Sequence, residues 1–181
     1  MPEEAAFEGL AVLLEYPETG FQERVPELVA TITAFDSSLS KRLAAFADPV
    51  VAMSSSDLEE LYTRTFDINP LCSLEVGWQV YGETYDRGGF LVNVNMALRD
   101  YGIPPSKELA DHLPQMLRLF TRSDPKKARD LSVGFLKPAI ERMLTGFTDE
   151  SNPYGSLLSC VQDAIENVVT AAAPTDECHV E

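Results

Sequence analysis

Few side chains in this sequence are equipped for acid–base, nucleophilic or metal chemistry. Two histidines, His112 and His179, are the whole imidazole supply of 181 residues. A helical metallohydrolase needs several His and Asp ligands converging on one ion, and a di-metal helical bundle needs two Glu-x-x-His units. Neither pattern occurs, and there is no G-x-x-x-x-G-K-[ST] phosphate loop, G-x-G-x-x-G, H-E-x-x-H or G-x-S-x-G elbow. The expectation is a protein with no catalytic residue, no metal and no cofactor. Three groupings leave alternatives open. Asp111-His112 has the residue types of a base and its orienting carboxylate, given a nucleophile or substrate proton within reach of the imidazole; alternatively Asp111 caps a helix and His112 bonds a neighbouring backbone group. Cys178-His179 is either a two-ligand chelate or part of a solvated tail. Trp78, Tyr81 and Tyr85 either line a peptide groove or pack into the core.

The elements that would carry these residues read as helices throughout. Apolar residues recur at helical spacing and sustained period-2 alternation is absent. A first helix is expected over about 3–15, stopped by Tyr16-Pro17, a second over 26–35, and a third over 39–47 ahead of Asp48-Pro49. Ser56 with Glu59 forms a capping-box pattern, followed by a stripe of Leu58, Leu61, Tyr62, Thr65 and Phe66. Asn69-Pro70 breaks that helix; a short segment through Trp78 and Tyr81 ends at Gly82. A long helix over 84–101 follows, in which Gly88 and Gly89 admit a close neighbour or loosen its first turns, and Gly102-Ile103-Pro104-Pro105 ends it. Asp111 then stands where an N-cap is needed, with Pro114 in the first turn and Leu113, Met116, Leu117 and Phe120 on one face. Ser123-Asp124-Pro125 starts a helix that Pro138 should kink or split, and Asn152-Pro153 starts the last one, with Leu158, Val161, Ile165 and Val168 facing inward. The fold class is all-α: one bundle of about eight to ten helices over residues 1–174, with 175–181 a disordered acidic tail.

Composition bounds the partners. At 45% apolar residues the chain supplies one sizeable core. Its longest unbroken apolar run is Leu10–Leu14, far short of the roughly 20 residues a membrane span needs. The acidic start, Met1-Pro2-Glu3-Glu4, lacks the basic character of an export signal, so a cytoplasmic protein is expected. Cys72, Cys160 and Cys178 are widely spaced and odd in number, which suits reduced thiols rather than disulfides or CxxC sites. A net charge of −15 disfavours nucleic acid and anionic membranes and favours basic partners. Half of the 14 Lys and Arg fall between Arg118 and Arg142, there either to attract a local anion, to offset the acidic ends, or to solvate a helix face.

Several stretches, in order, resemble the nitrate reductase delta subunit (NarJ) branch of the TorD-like molybdoenzyme chaperones. Residues 10–17, Leu-Ala-Val-Leu-Leu-Glu-Tyr-Pro, are similar to the family's opening helix ending in Tyr-Pro. Residues 58–67 match its L-x-x-L-Y-x-x-T-F-D signature, the most specific piece. Ser73-Leu74, Tyr81-Gly82 and Arg87-Gly88 follow in family order, and Leu109-Ala110-Asp111-His112-Leu113-Pro114 resembles the L-x-D-H/Y-L-P element. The likeness covers about residues 9–147; Asn69–Cys72, Glu75–Trp78 and the acidic C-terminal part from Asp149 follow no family pattern.

The resemblance implies an all-helical cytoplasmic chaperone, not an enzyme. Its partner would be the catalytic subunit of a molybdopterin oxidoreductase, nitrate reductase-like by default, gripped through an N-terminal twin-arginine signal or its remnant during cofactor insertion and assembly. Carried over by position, Asp67, Tyr81, Asp111, His112 and Pro114 would surround the client groove, with Tyr62 and Phe66 shaping its wall. Each of these also has a structural reading, as core stripe or cap. His112 beside a carboxylate would have a second role, changing charge near neutral pH and altering the grip on a cationic client. The competing readings are a helical regulatory or scaffold subunit retained in a mature complex and a small hydrolase using Asp111-His112.

Overall fold

The first helix sits at the centre because it is apolar nearly all round. In the computed structural model, which describes residues 1–172, α1 (Pro2–Leu13) buries Phe7, Leu10, Leu13 and the following Leu14 completely. It lies against α2 (Phe21–Phe35) and α7 (Leu113–Arg122). Helix α3 (Ser40–Ala52), entered through a 3-10 turn at Ser37–Leu39, packs along the last helix, α10 (Pro153–Ala171). Helix α4 (Ser55–Tyr62) continues into a π turn (Thr63–Asp67), and α8 (Pro125–Leu131), a second π turn (Ser132–Leu136) and α9 (Lys137–Thr145) form one continuous rod. Short α5 (Val76–Tyr81) packs against α9 and against α6 (Asp86–Asp100). The described residues therefore form nine helical rods around a single apolar core and no strand. The expected tail, with Cys178 and His179, lies outside the described residues.

Several boundaries differ from the sequence expectation. The second helix starts at Phe21, after Gly20 in a left-handed conformation (φ 85°), so Pro26 lies inside it. The third runs through Pro49 to Ala52. Burial of Phe46, Ala47 and Val50 against the neighbouring helices outweighs the roughly 3 kcal/mol an interior proline costs. The cap of α4 is Ser54 rather than Ser56: its hydroxyl accepts the Asp57 N–H at 3.1 Å and donates to the Asp57 carboxylate at 2.7 Å. Pro138 does not split its rod. The π turn just before it, closed by Lys137 N–H donating to Ser132 O, absorbs the irregularity instead. Gly88 and Gly89 admit no close neighbour, because a Cβ at either would meet open space.

Other signals land where expected. Gly82 (φ 59°) ends α5, and Gly102 (φ 65°) closes α6 with Ile103 N–H donating to Leu98 O at 2.8 Å. Asp124 and Asn152 cap α8 and α10 through their side chains. The basic stretch offsets the acidic ends: Arg118 pairs with Glu8 and Glu15, Arg122 with Glu4, and Lys137 with Glu166. Cys72 and Cys160 are buried free thiols, and burial pushes the Cys160 thiol up to about 12, so it is inert.

Candidate functional site

One cleft of about 630 Å³ opens where five segments meet. The α1–α2 loop contributes Glu15, Tyr16 and Glu18; the end of α4 contributes Tyr62, Phe66 and Asp67; residues 73–75 form one side; the loop before α7 contributes Lys107 and Glu108; and His112, Pro114 and Arg118 come from α7 and its entry.

Each segment is held for a local reason. The stripe on α4 buries Leu58, Leu61, Tyr62, Thr65 and Phe66, as helical spacing dictates. Tyr62 donates its hydroxyl hydrogen bond to Leu14 O at 3.0 Å and stacks edge-on with Tyr16, Phe66 and Tyr154. Its burial raises the phenol well above its ordinary range, so it stays a neutral donor. The π turn, closed by Ile68 N–H donating to Thr63 O at 3.1 Å, leaves Phe66 buried and Asp67 exposed at the cleft.

Residues 74–76 are pinned to 111–113 by two antiparallel backbone bonds, Leu113 N–H to Leu74 O and Val76 N–H to Asp111 O, each 2.9 Å. The Asp111 carboxylate completes the joint: Oδ2 accepts the Gly77 N–H at 2.8 Å. Asp111 is thus a cap, but of α5, thirty-four residues away in sequence, and not of α7, whose N-cap is His112 without a side-chain bond. Its other oxygen, Oδ1, is buried without a partner, as is Nε of Arg87. Burial raises the Asp111 pKa, opposed by the Gly77 bond and the Arg87 charge.

The floor of the cleft is Arg118. Its Nε and Nη2 clamp both oxygens of Glu8 at 2.8 Å, Nη2 also reaches Glu15 at 2.8 Å, and Nη1 donates to Gln115 at 3.0 Å. The guanidinium in turn holds the Glu8 carboxyl below its ordinary range. Glu75 lies deeper, accepts from the Ser73 hydroxyl, and has its pKa raised by burial and by nearby Asp111. The lining carries five carboxylates (Glu15, Glu18, Asp67, Glu75, Glu108) against three cations (Arg24, Lys107, Arg118). Exposed Tyr16 lies at its edge, and exposed Ile68 and Leu109 directly follow the lining residues Asp67 and Glu108 in the chain.

Of the residues singled out from sequence, Tyr62, Phe66, Asp67, His112 and Pro114 lie together at this cleft. Tyr81 does not: it packs in an aromatic group with Phe90 and Phe135. Asp111 is in the joint behind the cleft rather than in it. Trp78, Tyr81 and Tyr85 share no groove, since Trp78 donates to Pro70 O at 2.9 Å and lies under Arg87, while Tyr85 is fully exposed. His112 also departs from its expected second role. It is 8% exposed, and burial, with the Arg118 charge, pushes its pKa down to about 4, so it is neutral well before pH 7. No hydrogen bond joins the Asp111 and His112 side chains among the described residues, so the dyad a hydrolase would need is not assembled. No metal-ligating cluster occurs among the described residues either.

Glu18, Glu75, Glu108, Lys107 and Arg118 carry no local signal in the sequence. Arg118 meets its carboxylates across 103 and 110 residues of chain, which leaves no local pattern. Glu15 and Tyr16, in the Tyr-Pro helix end, and Ser73-Leu74 belong to the motif segments and line the cleft.

No family model matches the chain. Two curated proteins do: the nitrate reductase molybdenum cofactor assembly chaperones NarJ of Escherichia coli (strain K12) and of Escherichia coli O157:H7. Each is 30% identical over 121 residues, covering 64% of this chain and 51% of the relative. The chain thus spans about half the length of the curated relatives it matches. With the ordered motifs and the all-helical fold, the chain is similar over those 121 residues to molybdenum cofactor assembly chaperones of the NarJ type.

Proposed function

We propose that this protein is an assembly chaperone that holds the apo catalytic subunit of a molybdopterin oxidoreductase, nitrate reductase-like by default, through a basic, amphipathic N-terminal peptide seated in the cleft. The observation that carries this reading is the composition of the cleft: exposed Asp67 and Glu108 offer carboxylates to cationic side chains, Glu18 is shared with Lys107 at 3.5 Å, and Tyr16, Ile68 and Leu109 offer apolar surface beside them. Glu8 and Glu15 share Arg118 at the floor, whereas exposed Asp67 and Glu108 stand at the mouth, where a twin-arginine segment would meet them. The curated relatives, named as chaperones, support a binding role over an enzymatic one. The protein would act in the cytoplasm, before its client is attached to a membrane or exported; no helix among the described residues is long and apolar enough to cross one.

Isothermal titration with the N-terminal peptide of the molybdoenzyme catalytic subunit encoded beside this chain tests the reading. We expect saturable binding that weakens several-fold from low to high salt and again in the double variant Asp67→Asn/Glu108→Gln. Absence of binding to the peptide and to the full apo-subunit overturns it.

A further inference from the structure

The carboxylates that line the cleft are not equivalent. Glu15 is held by Arg118 and Glu18 by Lys107, each in an ion pair. Asp67 and Glu108 are exposed at the mouth, where water screens them and a charge pair contributes little. Glu75 alone is both half-buried and without an ion-pair partner among the described residues.

The fold fixes this carboxylate before any ligand arrives. Its backbone lies between the two bonds that join Leu74 to Leu113 and Val76 to Asp111. One of its oxygens, Oε2, is taken up by the Ser73 hydroxyl, while Oε1 meets no side-chain donor among the described residues.

The charges that face Glu75 do not cancel its own. The loop before α7 brings Glu108 and the sealed carboxylate of Asp111, both acidic, and α6 brings Arg87. The Arg87 guanidinium stands over Trp78, 5.7 Å from the ring centroid, and forms an ion pair with neither carboxylate. His112, across the backbone joint from Glu75, is neutral at pH 7. Burial, together with repulsion from Asp111, therefore holds the Glu75 carboxyl above its ordinary range. A cation entering the cleft at this point would relieve the repulsion, and would do so where less water screens it than at the mouth.

On the client-peptide reading, on which this inference rests, we propose that Glu75 is the inner subsite for one cationic side chain of the client and the main determinant of which basic peptide the cleft prefers. Position 75 falls in Glu75–Trp78, a stretch that departs from the pattern of the resembled family. The subsite therefore belongs to this chain and selects its own client, whereas exposed Asp67 and Glu108 attract basic peptides in general.

The test is isothermal titration with the N-terminal peptide of the molybdoenzyme catalytic subunit encoded beside this chain. Near neutral pH, Glu75→Gln should weaken binding about tenfold or more, beyond the loss in Asp67→Asn/Glu108→Gln. Its Tm should hold or rise, because the carboxamide keeps the Ser73 bond and removes the repulsion from Asp111. A bound cation favours the ionised carboxylate, so binding at mildly acidic pH should release protons, read as a dependence of the observed heat on the ionisation enthalpy of the buffer. Glu75→Gln should remove most of that release. A Glu75→Gln protein that binds as tightly as the wild type overturns the assignment and leaves the client reading standing. So does a Glu75 carboxyl carbon resonance that stays in place as the peptide saturates the wild type. A wild type that binds neither the peptide nor the full apo-subunit overturns both.

Discussion

Replacing Gly77 by alanine should be among the most damaging single-methyl changes in this protein. A Cβ on Gly77 would lie 2.6 Å from Asp111 Oδ2 and 2.9 Å from Phe90 Cδ1. The carboxylate must then withdraw, which breaks its 2.8 Å bond to the Gly77 N–H and leaves a fully buried anion with neither oxygen bonded. A hydrogen bond to a charged group contributes about 1.5–3 kcal/mol, and forcing a methyl into a filled site costs about 1–3 kcal/mol. These are two routes for relieving one clash and are not additive. Alanine's better helix propensity returns up to about 1 kcal/mol. The expected net loss is about 1–2 kcal/mol, which for a chain of this size lowers Tm by about 2–8 °C. Gly89→Ala is the matched control: its methyl meets open space in an exposed helix, so stability should hold or rise by about 0.5–1 kcal/mol. Scanning calorimetry of the two variants, with the Gly77→Ala/Asp111→Ala double variant, checks the argument. Equal Tm for Gly77→Ala and wild type would refute it, as would additive losses in the double variant, because the damage is argued to pass through Asp111.

Three further outcomes are expected. His112, with its folded pKa pushed down to about 4 from 6.5, binds no proton where the unfolded chain does; stability is therefore lost as pH falls from 6.5 towards 4, on the order of 3 kcal/mol. Urea denaturation across that range should show a shallower slope in His112→Gln, and the pH dependence of peptide affinity between 6 and 8 should be the same in both proteins. Arg118→Met should destabilise by about 1–2 kcal/mol, because its carboxylate partners are half-exposed and regain water, and NMR titration should find the Glu8 pKa moved upward. Tyr62→Phe should cost about 1 kcal/mol in thermal unfolding by orphaning Leu14 O.

The helices were legible because their signals are local: the Leu58 to Phe66 stripe, the Asp124 and Asn152 caps, and the glycines at 82 and 102 act within a turn of themselves. Prolines misled at 26 and 49, where burial of residues such as Val25 and Val50 carries the helix past them. Three successive serines, 54 to 56, made the α4 cap ambiguous by two positions. The cleft was half legible. Tyr62, Phe66, Asp67, His112 and Pro114 reach it from two motif segments, whereas Glu75 and Arg118 are brought there only by tertiary packing. Asp111 illustrates the difference: its residue type announced a cap correctly, and only the fold reveals which helix it serves.

The π turns at 63–67 and 132–136 have a consequence for how this chain tolerates change of length. Each turn closes a ring one residue longer than an α turn, which is the footprint of a single-residue insertion in an otherwise regular helix. Deleting exposed Arg64 should let the first π turn relax to α geometry without unwinding the rod. Residues beyond the turn would then keep their direction, because the bulge alone had absorbed the extra residue, and an acidic residue would stay at the cleft mouth. A relative with an uninterrupted helix here would be one residue shorter, and the gap in its alignment to this chain belongs within 63–67, so that the acidic residue at the mouth is aligned by its direction in space rather than by its count from Leu58.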